Sequence, residues 1–378
     1  MRRPTRGLVA AAIAASAVGF AAQAADTFKI GLVNETTGPN AEAGVYTVNG
    51  ARLALDEINK AGGILGKQVE LLIEDNQSTN PGSVLAYSKL VGQGVPAVIG
   101  PIRSTQTNAI SPTVAKAGIP TMFGGTDPNL TASGNRWLFR CRPNDSFSAL
   151  VVSDFGVNTL KLRKWAIVHS TDAFGTAGMN FLVQALKAYD ITPVLVQGYT
   201  NNSQDFTPIV LAIKKAGADV IGSYMTNSPD VGIFAKQLRQ LGLTTTWIGS
   251  PSVITETARN LAGSGLYGVY GVADFTPSAA NPQVQAYAEK YKATYKLEAD
   301  VYSSWAYDAM HVLANAINKA KSTQPDAIRK EILATCGYKG VEGTYCFDEN
   351  GDGLRGYNIV HNEGGKIVFV KHIDNPKK

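Results

Sequence analysis

From Phe28 onward the chain repeats one alternation, a short apolar run followed by a stretch with helical spacing. "FKIGLV", "VELLIED", "PAVIG" and "IPTMFGG" read as strands, and so do "RKWAIVHS", "ITPVLVQGY" and "ADVIGSYM" further on. Between or after them, "TVNGARLALDEINKAGG", "NPGSVLAYSKLVGQG", "QTNAISPTVAKAG" (broken by Pro112), "GMNFLVQALKAY", "FTPIVLAIKKAG" and "VGIFAKQLRQLG" read as helices. Strands this apolar suit burial on both faces. Strand–helix alternation supplies the crossovers that parallel sheets need, so the pattern predicts an α/β chain with sheets covered on both sides. The last third differs: three helices ("PQVQAYAEKYKATY", "SSWAYDAMHVLANAINKAK", "PDAIRKEILATC"), a strand and turn ("GTYCFDENGDG"), and two strands joined by Glu363-Gly364-Gly365.

The N-terminus is an export leader by pattern. Arg2, Arg3 and Arg6 precede an apolar run from Leu8 to Phe20, and Ala22-Gln23-Ala24 closes it. The run is shorter than the ~20 residues a membrane span needs, so residues 1–24 are expected to be removed and the mature chain to start at Ala25 in the periplasm. Its loss takes three arginines and lowers the formal charge from +5 to +2. That balance, without clustered Lys/Arg, argues against a nucleic-acid partner. The remaining length exceeds the roughly 250–300 residues one core supports, so two lobes are expected. Cys336 and Cys346 flank a turn-rich stretch and can close a small loop in an oxidising compartment, which would leave Cys141 a free thiol.

Most chemical motifs fail on context. Gly263-Ser264-Gly265-Leu266-Tyr267-Gly268 follows a helix and enters a strand, the reverse of a dinucleotide loop. Gly66-Lys67 is followed by Gln68 and a strand, not by Ser/Thr and a helix. Asp348–Gly353 resembles the start of a calcium loop, but its twelfth position is Ile359. The four histidines are too dispersed for a metal, and no nucleophile elbow is present. No cofactor and no enzymatic activity are expected.

"AVIGPIRSTQTNAISP" keeps two readings open. The hydroxyls from Ser104 onward cap a helix, or they line an anion site at its positive end.

Together, "KIGLVNETTGPNAEAG", "NGARLALDEINKAGGILGKQVELLIEDNQSTNP", "VIGPIRSTQT", "AGIPTMFGGTDPNLT", "WAIVHSTDAFG" and "GVEGTYCFDENGD" resemble, in order and over nearly the whole mature chain, the periplasmic leucine/isoleucine/valine-binding proteins of ATP-driven importers. The resemblance implies the type I fold, two doubly wound α/β lobes joined by three crossings, with residues 25–144 and 274–353 in one lobe and 145–273 and 354–378 in the other. It implies a small carboxylate ligand in a cleft that shuts by hinge motion, a membrane permease as partner, and a monomer. Ser104 would then bind the carboxylate, with Thr105 opening the supporting helix. Gly124, Gly125 and Thr126 would meet the polar head. Phe174 and Tyr224 would face the cleft or sit in the core, and Asp145 would hold an amine or cap a helix.

Two positions depart from the family pattern. Pro251 stands where amino-acid-binding members carry a Glu for the ligand's ammonium, and Ala43 stands where they carry an aromatic, a gap Tyr46 could fill. These leave three ligand readings: an amino acid, an amine-free aromatic or other organic acid, or the ligand of a sensory amide-binding relative.

Overall fold

The computed structural model describes Met1 and residues 27–374, so residues 2–24 of the expected export leader lie outside the described residues. The first sheet is wholly parallel. It is built from β1 (Phe28–Asn34), β2 (Val69–Asp75), β3 (Val98–Ile99), β4 (Thr121–Phe123) and β5 (Leu138–Arg140), in the order β2-β1-β3-β4-β5. Its intervening helices are α1 (Ala41–Lys60), α2 (Asn80–Gly92), α3 (Ser104–Ala117) and the short α4 (Asn129–Ala132). Local chemistry starts and stops them. Thr79 accepts the Gly82 N–H at the head of α2, and Gly118 ends α3 in the left-handed conformation. Pro112 does not break α3, contrary to expectation. The carbonyl that loses its donor is that of Asn108, which is exposed and open to water.

The second sheet follows helix α5 (Asp145–Asp154). Its strands and helices are β6 (Trp165–Ser170), α6 (Ala173–Lys187), β7 (Leu195–Tyr199), α7 (Thr207–Ala216), β8 (Val220–Tyr224), α8 (Ser228–Gln240), β9 (Thr246–Gly249), α9 (Glu256–Ala262) and β10 (Tyr270–Ala273). α6 starts five residues earlier than its apolar spacing predicts, because Asp172 caps it by accepting the Gly175 N–H at 2.9 Å.

The chain then returns to the first lobe. Helices α10 (Pro282–Tyr295), α11 (Val301–Ala320) and α12 (Pro325–Leu333) share one apolar core with β1 and α1, in which Trp305 and Leu313 meet Leu32 and Ala54. The hairpin β11 (Cys336–Lys339) and β12 (Thr344–Cys346) carries the Cys336–Cys346 disulfide, and Cys141 is a buried free thiol. Finally β13 (Gly356–Glu363) and β14 (Lys366–Asp374) add antiparallel to β10, completing the order β14-β13-β10-β9-β8-β6-β7.

The backbone therefore passes between the lobes three times, near Arg142–Asn144, Asp274–Thr276 and Gly353–Arg355. Polar contacts tie these passages together. Arg142 forms a two-pronged ion pair with Asp274, and Asn144 Nδ2 donates to Asp352 Oδ2 at 2.9 Å. The Tyr357 hydroxyl donates to the Pro143 carbonyl at 2.9 Å. Asp352, in the calcium-loop-like stretch, pairs with Arg140 at 2.6 Å, so that stretch is a structural turn at the third passage.

A candidate ligand cleft between the lobes

Parallel strands deliver their carboxyl ends, and the loops after them, to one edge of each sheet. In the first lobe that edge carries the start of α3 and the loop after β4. The Ser104 hydroxyl oxygen accepts the backbone N–H groups of Thr126 and Asp127, each at 3.1 Å. Ser104 thus fastens one loop to the other. Its own O–H proton is still available to donate, because a hydroxyl accepts and donates at once.

A cavity of about 40 Å3 lies there, walled by Ser104, Thr105, Thr126 and Tyr302 from one lobe and by Phe174, Thr226, Pro251 and Ser252 from the other. One water needs roughly 10–15 Å3 on this measure, so the cleft stands nearly shut. Contacts across it hold it so. Arg103 Nη1 donates to the Thr226 carbonyl at 3.0 Å, Ala173 N–H to the Thr105 hydroxyl at 3.1 Å, and the Tyr46 hydroxyl to Glu256 at 2.8 Å.

Three charged side chains line the cavity, and none was singled out by sequence: Arg103, Arg142 and Asp172. Arg103 pairs with buried Glu35 at 3.2 Å and lies over the Tyr302 ring. Arg142 pairs with Asp274 and also donates to the Gly124 carbonyl at 3.3 Å. Asp172 accepts four hydrogen bonds. Oδ1 takes them from Ser170 Oγ and Gly175 N, and Oδ2 from Asn201 Nδ2 and Thr226 Oγ1. That fills the four lone-pair positions of a carboxylate.

Five of the expected residues line this cavity: Ser104, Thr105, Thr126, Phe174 and Pro251. The other four lie behind it. Gly124 and Gly125 are close-packed against protein. A Cβ on Gly124 would fall 3.0 Å from Ile102 and 3.1 Å from Trp305, and one on Gly125 would fall 3.0 Å from the Ser104 Cα. Asp145 is fully buried, accepts the Thr126 hydroxyl at 2.7 Å, and opens α5 rather than facing the cleft. Burial pushes its carboxyl up to about 7, although the Thr126 bond and Arg140 pull the other way. Tyr224 lies in the second lobe's core, against Phe174 and bonded to Ser148 Oγ at 2.8 Å. The cleft is reached just beyond it, at Met225 and Thr226, because every position of β8 is buried and the side facing the cleft begins only where the strand ends. Tyr46 does not fill the space left by Ala43; it reaches across to Glu256, and Tyr302 supplies the aromatic wall.

The family model for periplasmic binding proteins matches residues 27–366, nearly the whole described chain. This chain belongs to that family. The binding protein is 31% identical to a Leu/Ile/Val-binding protein of Rhizobium johnstonii over 94% of this chain and 97% of that one. It is 30% identical to an amino acid binding protein of Pseudomonas aeruginosa over 92% of each. Among solved structures, a branched-chain amino acid transporter substrate-binding protein from Streptococcus pneumoniae, in complex with isoleucine, superposes with a TM-score of 0.83 at 26% identity, covering 91% of this chain and 99% of that one. The two-lobed type I fold is thereby shared, and the binding protein falls among the substrate-binding proteins of branched-chain amino acid ABC transporters.

Proposed function

We propose that this protein is the periplasmic, leader-exported and monomeric receptor of an ABC importer, and that it captures a small carboxylate-bearing ligand, an amino acid, between lobes formed by residues 25–144 with 274–353 and 145–273 with 354–378. The observation that carries the reading is Ser104: a buried hydroxyl at the first turn of α3, held by two backbone N–H groups and still able to donate into the cavity. A carboxylate there gains that bond and the positive end of the helix dipole. Hinge closure about the three tied passages then brings Thr226, Phe174 and Ser252 over it. The relatives' names, amino-acid-binding and Leu/Ile/Val-binding, support the amino acid assignment.

A second reading keeps the transport role with an amine-free organic acid as ligand. Two observations favour it. Pro251 faces the cavity without a charge, and the one carboxylate there, Asp172, has its lone pairs filled. An ammonium beside it would gain charge attraction but no hydrogen bond without displacing one. A thermal-shift screen of the protein against leucine, isoleucine, valine and hydroxybenzoates decides. Stabilisation that grows with the logarithm of amino acid concentration supports the first reading. A response to hydroxybenzoates alone replaces it with the second, and silence with every carboxylate overturns both.

A further inference from the structure

A separate cavity of about 440 Å3 opens where the second and third passages between the lobes meet. Asp274 and Glu342 supply its buried acids, while Val341, Leu354 and Phe369 give it an apolar wall drawn from both lobes. The Arg142–Asp274 ion pair links it to the ligand cleft: Arg142 lines the cleft and Asp274 lines this cavity.

Glu342 is the unusual member. It is 4% exposed, and its Oε1 accepts the Ser304 hydroxyl at 2.6 Å, but its Oε2 is buried without any hydrogen-bond partner. Its charged neighbours are Arg142, Asp274 and Asp308. Both guanidinium prongs of Arg142 go to Asp274, and Asp308 is occupied by the N–H groups of Val341 and Glu342 and the Tyr345 hydroxyl. Three buried carboxylates thus share one cation. Burial and the Asp274 charge push the Glu342 carboxyl well upward, so in the empty cavity it favours holding its proton, and a cation bound at Oε2 would take that proton's place. A buried carboxylate oxygen left unpaired costs the full desolvation of that group. Its complement is a charged donor. A hard metal ion would need several oxygen ligands, and among the described residues no group of three or more His, Cys, Asp or Glu is placed to hold one. The apolar wall asks instead for an alkyl body. Arg355, on the same wall, donates through Nη2 to Asp348 at 3.1 Å, while its Nε is buried without a partner, so the cavity offers an acceptor-seeking group as well as Glu342 Oε2.

We propose that this cavity is a second ligand site, between the passages that form the hinge, for a small primary ammonium compound whose nitrogen meets Glu342 Oε2 and whose alkyl chain lies on Leu354 and Phe369. The site is independent of what fills the cleft.

The test uses n-butylammonium chloride as probe and n-butanol as its uncharged match, each titrated into the protein at constant ionic strength by calorimetry and thermal shift. The expected result is saturable binding of the ammonium and none of the alcohol. Glu342→Gln, which keeps the shape and the Ser304 bond but removes the charge, should weaken ammonium binding about tenfold or more. An equal response to both probes, or no response to either, overturns the proposal. So does ammonium binding that survives Glu342→Gln unchanged, the outcome expected if the amine goes to Asp172 in the cleft. If that variant fails to fold, Phe369→Ala, which removes half-buried apolar wall from this cavity and touches no residue of the cleft lining, should weaken ammonium binding, and unchanged binding overturns the proposal.

Discussion

Ser104 and Thr126 stand 22 residues apart in sequence and are joined by one hydrogen bond, the Thr126 N–H donating to the Ser104 hydroxyl oxygen at 3.1 Å. Through it, the head of α3 and the loop after β4 become a single wall of the cleft. Ser104 is therefore both a structural tie and the candidate anchor.

Ser104→Ala should weaken binding of any carboxylate ligand by roughly 1–3 kcal/mol, the usual loss for a bond to a charged group. It also leaves two buried N–H groups unpaired, so the unliganded protein should lose stability as well. Calorimetry measures the first effect and denaturant titration the second. Unchanged affinity would remove Ser104 from the site.

Arg103 and Glu35 form a buried ion pair, and Gln106 also donates to Glu35 at 2.9 Å. Arg103→Met strands the carboxylate and should cost about 3 kcal/mol of stability, whereas Arg103→Met combined with Glu35→Leu should recover most of that loss. Because Arg103 also reaches the Thr226 carbonyl across the cleft, both variants should release ligand faster. A double-mutant cycle by urea unfolding, with stopped-flow dissociation, checks both statements.

Burial gives Asp145 a folded pKa of about 7, above the ordinary carboxylate value. The folded protein therefore holds that proton more tightly than the unfolded chain does. The resulting stability is complete below about pH 4 and is lost as pH rises toward 7. Asp230 and Asp308, both pushed up by burial to about 6, add to the same slope. Asp145→Asn should flatten it, gaining roughly 1–3 kcal/mol on the unaltered protein at pH 8 relative to pH 5. Melting curves at the two pH values test this, and an unchanged slope would refute the buried, proton-holding role.

Reduction of Cys336–Cys346 opens a short loop at the edge of the first lobe, far in sequence from Ser104 and Thr126. It should lower stability by about 2–3 kcal/mol while leaving ligand affinity nearly unchanged. Thermal unfolding and calorimetry with and without dithiothreitol check the pair of outcomes.

Some of the cleft was legible along the chain because strand ends are local events. Ser104 follows the β3 run and Thr126 follows β4, and a hydroxyl at the close of a parallel strand falls on the binding edge. Asp172 carried the same signal, an acid between a strand and a helix, but it reads equally as a cap, and it is one. Tyr224 stayed open between cleft and core in the sequence because β8 is buried on both faces, so alternation does not mark which side chain first clears the sheet. Arg103 and Arg142 passed unnoticed because a lone arginine carries no sign of its partner. Glu35 lies 68 residues from Arg103, and Asp274 lies 132 from Arg142.

The sequence by itself determined the α/β class, the parallel first sheet and the strand-end position of the Ser104 hydroxyl. These follow from periodicity and capping, which act within a few residues. Only the tertiary structure decided which polar groups face the cleft and which are spent elsewhere. Asp145 and the two glycines went behind the wall, Asp172 arrived with its lone pairs filled, and Glu342 kept an oxygen free beside a cavity. Such outcomes depend on hydrogen-bond partners brought together by folding from distant parts of the chain, and no local pattern encodes a filled lone pair.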